Sequence, residues 1–321
     1  MPTPMRDTAS MQVRPLDVNP DAGAEPAAAI ASAPVAKQDN VPLGILYMVL
    51  ATLMLGASNA IAKWQVATYP VGEVMFFRSF FSLAFCAVAI LPFTGFSVFA
   101  TRRPRDHLAR GLSQAVSQTF TVIAISLMPL AGATAINFSA PLFAALLSIV
   151  WLKERADAAR WAALLAGFLG VLIVTNPGAN SLTVGALFAL GNAVMYGSVT
   201  VAVRGMTATE SANTLLMWQM ATLAALHPLL LVFGFHLPTP GGTAIFAMSG
   251  LANAVAQYCW THALRLAPTT AVSPFYYFLL VWSLGIDFAV WGNVPTIGLL
   301  IGSGIVIGAG LFLLRHETRR R

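Results

Sequence analysis

The sequence predicts an all-α membrane protein with ten transmembrane helices arranged as two inverted five-helix repeats, and three observations support this fold class. The 321 residues are 57% hydrophobic and only 9% charged, far below the roughly 25% charge of soluble domains. From residue 41 onward, apolar runs of about 18 to 23 residues follow one another, the length of a membrane-crossing helix. Finally, amide, basic and glycine positions recur between the two halves of the chain.

The first segment differs from all the others. Residues 1–40 are rich in Ala and Pro with interspersed charges and contain no continuous apolar stretch, which predicts a disordered cytoplasmic tail and not a signal peptide. Each later run can cross a hydrocarbon layer of roughly 30 Å, and lipid offers no partners to exposed backbone groups, so helices are expected. The predicted spans are residues 43–63, 71–93, 108–127, 132–152, 159–176, 183–204, 213–234, 243–263, 269–289 and 296–314. Pro141 and Pro274 are predicted to interrupt helices 4 and 9, because a proline within a helix removes one backbone hydrogen bond.

The distribution of basic residues predicts the orientation. With the N-terminus inside, all of the 18 Lys and Arg residues except Lys63 and Arg78 fall in cytoplasmic segments, and Arg110 is counted among them. Both termini are therefore predicted to be cytoplasmic in a multi-pass protein of the cell inner membrane. The net charge of +6 is explained by this orientation, and no basic face indicates nucleic-acid binding.

The two halves match in collinear order. The pair Gln114 and Gln118 returns 139 residues later as Asn253 and Gln257, and Gly44 returns 141 residues later as Gly185. We expect a first repeat over residues 41–176, a second over residues 177–315 and a short basic cytoplasmic tail over residues 316–321. Because each half has five helices, the second enters the membrane from the opposite side. Further matched pairs are Gly56 with Gly197, Lys63 with Arg204, Ala124 with Ala263, and Pro129 with Pro268.

Inverted repeats are typical of secondary transporters, whose substrate site lies near mid-membrane between the halves. The matched amides lie four residues apart and thus on one face of helices 3 and 8, so these faces are predicted to line a substrate cavity. An alternative is that the amides only hydrogen-bond neighbouring helices. Other candidates from neighbouring helices are Asn59, Asn137, Ser139, Asn192, Tyr196, Trp260, Tyr276, Tyr277 and Trp282, with interfacial anchoring as the alternative for the aromatic residues.

Arg78 is a charged residue well inside a predicted span and needs a partner or water. It could bind a substrate carboxylate, or it could pair with Glu73 or Asp287; the repeat places Gln219 at its equivalent position. No carboxylate falls near mid-membrane, so a proton carrier is not visible, and the scarcity of charge indicates a neutral or zwitterionic substrate.

Several motifs carry a family resemblance over roughly residues 41–315. They include AISLMPLAGA at residues 124–133, Pro141 in helix 4, ALRLAPTTAVSPFYY at residues 263–277, and the Trp291 to Asn293 turn. The chain resembles the EamA family of the drug/metabolite transporter superfamily, most closely the YddG-type amino-acid exporters. The family often has an acid where Asn293 stands, so the role of that carboxylate does not carry over.

This resemblance implies export of amino acids or similar small metabolites by alternating access, with uptake or exchange of another metabolite such as S-adenosylmethionine as the alternative. A channel or an intramembrane enzyme is disfavoured, because filter-like loops, catalytic triads and metal motifs are not seen. No catalytic residues, metal or cofactor are therefore predicted. Cys86 and Cys259 lie in apolar runs and are interpreted as packing thiols.

Overall fold

The computed structural model describes residues 40–151, 158–175, 183–203, 206, 210–267, 272 and 275–319. Residues 1–39 of the predicted N-terminal tail lie outside this described part of the chain. The helices are α1 (Val41–Gln65), α2 (Val71–Thr94), α3 (Pro104–Leu127), α4 in two parts (Leu130–Asn137 and Ala140–Trp151), α5 (Ala158–Thr175), α6 (Val184–Val203), α7 (Ala212–Leu226), α8 (Pro240–Leu266), α9 (Phe278–Trp291) and α10 (Ile297–Arg319). Short 3-10 helices, Gly95–Phe99 and His227–Phe233, follow α2 and α7. The predicted all-α fold class is confirmed.

Helix starts are set by local chemistry. The side chains of Asn40, Ser211 and Thr239 accept hydrogen bonds from backbone N–H groups in the first turns of α1, α7 and α8. Such caps satisfy N–H groups that have no partner within the helix. Proline also stands in the first turn of α1, α3 and α8, where its missing N–H leaves no hydrogen bond unmade.

The predicted interruption of helix 4 is observed, but not at the proline itself. The first part of α4 ends at Asn137, and the Ser139 N–H bonds the Ile136 carbonyl at 3.0 Å in the short connection. Pro141 lies in the first turn of the second part, a position that tolerates proline. Pro274, predicted to interrupt helix 9, lies outside the described residues.

Length and hydropathy alone identify three helical stretches of the described chain as candidate membrane spans, namely Val41–Gln65, Val71–Phe99 and Ala212–Phe233. Five shorter apolar stretches lie in α4, α5, α6, α9 and α10. The helices α3 and α8 are long but do not reach the same hydropathy. Their sequences explain this, because they carry the arginine and amide side chains that the bundle encloses.

The packing of the helices repeats across the two halves. The α1–α8 contact is matched by α6–α3, the α2–α8 contact by α7–α3, and the α1–α9 contact by α6–α4. Two glycines show the match at atomic detail: a Cβ on Gly44 would lie 3.4 Å from the Ala263 carbonyl oxygen, and a Cβ on Gly185 would lie 3.4 Å from that of Ala124. The matched pairs of the sequence therefore meet as matched contacts, as inverted repeats require.

The two helices that carry the repeated amides each pack on helices of the other half. α3 packs on α6 and α7, whereas α8 packs on α1 and α2. In the described part of the bundle, α3 and α8 are not among the closely packed helix pairs. This arrangement is compatible with the predicted cavity between their polar faces.

An ion pair between Lys63 and Asp287 connects three helices at one end of the bundle. The Lys63 ammonium, at the end of α1, lies 3.5 Å from the Asp287 carboxylate of α9 and 4.7 Å from the centre of the Trp291 ring. Asp287 also accepts a hydrogen bond of 2.7 Å from the Ala131 N–H at the start of α4. This group links α1 and α4 of the first half to α9 of the second.

Candidate functional site

The amides of α3 are buried but not engaged. Gln114 and Gln118 lie on the same face of α3, and neither side chain makes a hydrogen bond within the described residues. The amide nitrogen and oxygen atoms of these two side chains are not fully enclosed by the protein, so both amides retain accessible surface. Buried polar groups are normally hydrogen-bonded. Two unengaged carboxamides that keep access are therefore the groups best placed to bind a ligand.

The amides of α8 behave differently. The Asn253 side chain is 1% exposed and accepts a hydrogen bond of 3.0 Å from Arg78 Nη2. Its Nδ2 donates to Ser82 Oγ, also at 3.0 Å. Gln257, one turn further along α8, is half-buried and has no side-chain hydrogen bond in the described chain. Asn253 thus fastens α8 to α2, while Gln257 resembles the free amides of α3.

The guanidinium of Arg78 is 2% exposed, and a single nitrogen makes both of its hydrogen bonds. Besides Asn253, Arg78 Nη2 donates to Asn59 Oδ1 at 3.2 Å, and Nε is enclosed without a partner. The predicted pairing of Arg78 with Glu73 or Asp287 is wrong. Glu73, near the start of α2, accepts a hydrogen bond from the His236 N–H at 2.8 Å. Asp287, near the end of α9, binds Lys63.

Arg110, which the count of basic residues placed with the cytoplasmic segments, is a second buried arginine. Its side chain is 8% exposed, because it lies on the face of α3 that packs on α7. Arg110 Nη1 donates to the Leu215 carbonyl at 3.1 Å, and Nη2 donates to Gln219 Oε1 at 2.7 Å. Its spacing was a usable signal, since Arg110, Gln114 and Gln118 follow one another at four-residue steps.

A third polar group joins α3, α4 and α6. Asn192 Nδ2 donates to Asn137 Oδ1 at 2.7 Å, and Ser117 Oγ donates to Asn192 Oδ1. Ser139 Oγ donates to the Ile136 carbonyl of its own segment at 2.7 Å. Asn137, Asn192 and Ser139 are therefore engaged in bonds between or within helices, which is the alternative role considered for the amides.

The predicted aromatic residues divide into two groups. Tyr196 and Tyr276 are close enough to interact electrostatically, and the Phe138 ring contacts Tyr276 and Tyr277 edge-on at 5.9 and 5.0 Å between ring centres. Trp260 instead packs in a small apolar cluster with Met48, Ala263 and Ala267. Trp282 Nε1 donates to Thr52 Oγ1 at 3.3 Å. Tyr196 of α6 and the two tyrosines just before α9 thus adjoin the polar interior, whereas Trp260 is mainly a packing residue.

The remaining chemistry of the described residues is sparse. No group of three or more His, Cys, Asp or Glu side chains that could hold a metal ion occurs among them. Cys86 and Cys259 are buried free thiols. The bundle interior contains carboxamides, tyrosine hydroxyls and two guanidinium groups. Such groups recognise small polar molecules through hydrogen bonds and charge.

A helical bundle of two inverted repeats with such an interior is the architecture of a secondary transporter. The EamA-like transporter family matches residues 42–176 and again residues 183–315. The chain therefore belongs to the EamA-like transporter family, and the predicted family is confirmed. The more specific resemblance to YddG-type exporters stays a prediction.

Characterised relatives extend over nearly the whole chain. The chain is 30% identical over 281 residues to a riboflavin transporter of Rhizobium johnstonii, an alignment that covers 87% of this chain and 93% of the relative. It is 26% identical over 280 residues to an S-adenosylmethionine uptake transporter of Rickettsia bellii, covering 86% and 95%. It is also 26% identical over 281 residues to a pseudopaline exporter of Pseudomonas aeruginosa, covering 87% and 98%.

A solved crystal structure of another protein shares the fold. Its TM-score is 0.61 at 20% sequence identity, with 87% of this chain and 98% of that chain covered. The family and the relatives are transporters of small molecules, and they indicate a multi-pass membrane protein. The relatives named above carry substrates other than amino acids.

Proposed function

We propose that this chain is a secondary transporter that moves amino acids or similar small neutral or zwitterionic metabolites across the cell inner membrane by alternating access. Export is the expected direction, because the sequence resembles amino-acid exporters. Both termini are expected in the cytoplasm, as the distribution of Lys and Arg predicts. Attaching alkaline phosphatase to the C-terminus tests this orientation, since the fusion should remain inactive if the C-terminus is cytoplasmic.

The observation that supports this substrate class best is the state of Arg78. Its guanidinium is buried at the height of the amides and meets only carboxamide oxygens, those of Asn59 and Asn253. A guanidinium has five N–H donors; two are used here and the one on Nε is enclosed, so the two on Nη1 are left for a carboxylate. The free amides Gln114 and Gln118 can bind the remaining polar groups of an amino acid.

A flat heteroaromatic substrate is the second candidate. The riboflavin transporter of Rhizobium johnstonii is the relative with 30% identity, and S-adenosylmethionine also contains an aromatic base. Tyr196 of α6 and the two tyrosines just before α9 could contact such a ring, while amides recognise its donors and acceptors. A strictly cationic substrate is disfavoured by the buried Arg78 and Arg110.

Reconstitution into liposomes tests the proposal. Counterflow of labelled phenylalanine, S-adenosylmethionine and riboflavin is measured against empty liposomes and against a Gln118→Leu/Gln257→Leu variant. We expect saturable flux of phenylalanine that unlabelled substrate on the opposite side accelerates and that the double variant loses. Flux of riboflavin alone would replace the amino-acid assignment by the second candidate. Flux that does not saturate would indicate a channel and contradict the transporter mechanism.

A further inference from the structure

We propose that Arg110, with Gln219 beside it, forms a second carboxylate-binding point on the transport path, separate from Arg78. This inference rests on the proposed transport of a carboxylate-bearing metabolite. A bound carboxylate would supply the negative charge that the buried Arg110 side chain otherwise lacks.

Arg110 and Arg78 have the same unusual environment. Each is at least nine-tenths buried, each makes two hydrogen bonds to neutral oxygen atoms, and each has an enclosed Nε without a partner. Among the described residues, no carboxylate lies within salt-bridge distance of either guanidinium. A buried cation is costly unless an anion compensates it, and arginine cannot lose its proton to escape this cost.

The position of Arg110 connects it to the free amides. α2 and α3 are consecutive helices that run in opposite directions, and each arginine lies about two turns from the start of its helix. At 1.5 Å per residue, their Cα atoms are roughly 15 Å apart along the bundle axis. Gln114 and Gln118 follow Arg110 on its own helix face and occupy this interval. The two arginines therefore stand at opposite ends of a row of carboxamides.

Neighbouring side chains orient Arg110 toward the interior. Gln219 binds it from α7, and Tyr196 of α6 is close enough to interact electrostatically with its charge. Tyr196 in turn lies near Tyr276, which precedes α9 in the chain. A carboxylate at Arg110 would thus meet a guanidinium and a carboxamide.

The partners of the arginines suggest how binding could move the two halves. Both arginines belong to the first half, and each donates to a carboxamide oxygen of the second half, namely Asn253 or Gln219. A carboxylate is a stronger acceptor than a carboxamide. In a guanidinium–carboxylate hydrogen bond both donor and acceptor are charged, which makes it shorter and stronger than a bond from the guanidinium to an amide oxygen. A substrate carboxylate that takes over these donors would weaken a link between the halves, first at one arginine and then at the other.

The experiment uses the full-length purified protein and acetate as the carboxylate probe, with acetamide as the neutral analogue at the same ionic strength. We expect acetate to raise the thermal unfolding midpoint of the wild type more than acetamide does. Arg110→Gln should reduce this difference by at least half. The matched control is Arg103→Gln, which removes an exposed charge at the same end of α3, and it should leave the difference unchanged. An Arg110→Gln variant that keeps the full acetate effect would overturn the proposal.

Transport provides the second readout. For the wild type, phenylalanine should compete with labelled phenylalanine far better than phenylalaninamide does, and Arg110→Gln should reduce this preference about fivefold or more. If Arg110→Gln does not fold, Arg110→Lys serves instead, because it keeps the charge but loses the planar fork, and an unchanged preference in it contradicts the proposal. The acetate measurement does not depend on flux. Failure of the phenylalanine flux therefore rejects the proposed function, whereas failure of the acetate effect rejects the Arg110 site.

Discussion

The polar faces of α3 and α8 have the same spacing of amides but different chemical states. On α8, Asn253 uses its carboxamide to bind Arg78 and Ser82, and the fully buried Ser249 stands one turn before it. On α3, Gln114 and Gln118 are unengaged, and Arg110 occupies the position that matches Ser249. The comparison teaches that the repeat preserves the placement of polar groups, while the neighbouring side chains decide whether a group holds the structure or is free for a ligand.

The largest expected effect comes from removing the structural amide. Asn253→Leu leaves Arg78 with a single acceptor and removes the amide that donates to Ser82 Oγ, so we expect a loss of about 3 kcal/mol in the free energy of unfolding. Thermal unfolding of the purified variants in detergent measures this loss. Gln257→Leu is the control, one turn along the same helix, and should unfold close to the wild type. Equal midpoints for the two variants would remove the distinction between the amides of α8.

The free amides should affect transport and not stability. Gln114→Leu and Gln118→Leu each remove a potential hydrogen bond to the substrate, and we expect about a tenfold loss of initial phenylalanine flux, equivalent to ~1.4 kcal/mol. Their unfolding midpoints should remain near that of the wild type, because no protein bond is broken. Ser126→Leu, an exposed position on α3, is the control. Destabilised variants with normal flux per folded molecule would show that these glutamines are structural.

Arg78→Lys sharpens the comparison at the point where α2 meets α8. The lysine ammonium keeps the charge and can bond Asn59 or Asn253, but it lacks the planar fork that holds two amides and a carboxylate together. We expect folded protein with about a fivefold lower phenylalanine flux. Initial rates in liposomes, normalised to inserted protein, provide the measurement. Loss of the folded protein would instead assign Arg78 a purely structural role.

The smallest effect is expected at Ser249, the α8 counterpart of Arg110. Its hydroxyl oxygen is enclosed and has no hydrogen-bond partner in the described chain, so Ser249→Ala removes an unsatisfied group. The unfolding free energy should change by no more than about 0.5 kcal/mol, with slight stabilisation as the expected sign. Ser82→Ala is the contrasting variant, because it removes the acceptor of Asn253 Nδ2 and should destabilise the protein. A marked loss at Ser249 would mean that this hydroxyl is engaged after all.

The sequence predicted those features that depend on a regular spacing of residues along the chain. Apolar runs of membrane-spanning length predicted the helices, and matched glycines and amides predicted the inverted repeats, which the Gly44 and Gly185 contacts display. The four-residue spacing also placed Gln114 with Gln118, and Asn253 with Gln257, on common helix faces. These features depend on residues that are close in the chain, so local geometry determines them.

The partners of the buried polar groups depended on the tertiary structure. Counting charges placed Arg110 with the cytoplasmic arginines, and for Arg78 the sequence offered either a substrate carboxylate or a pairing with Glu73 or Asp287. In the structure, both guanidinium groups bind amide or backbone oxygens. Sequence alone could not distinguish Asn253, which is engaged, from Gln118, which is free. The reason is physical: such bonds join helices distant in the chain, and only the packing of α2 against α8 and of α3 against α7 brings each donor within reach of its acceptor.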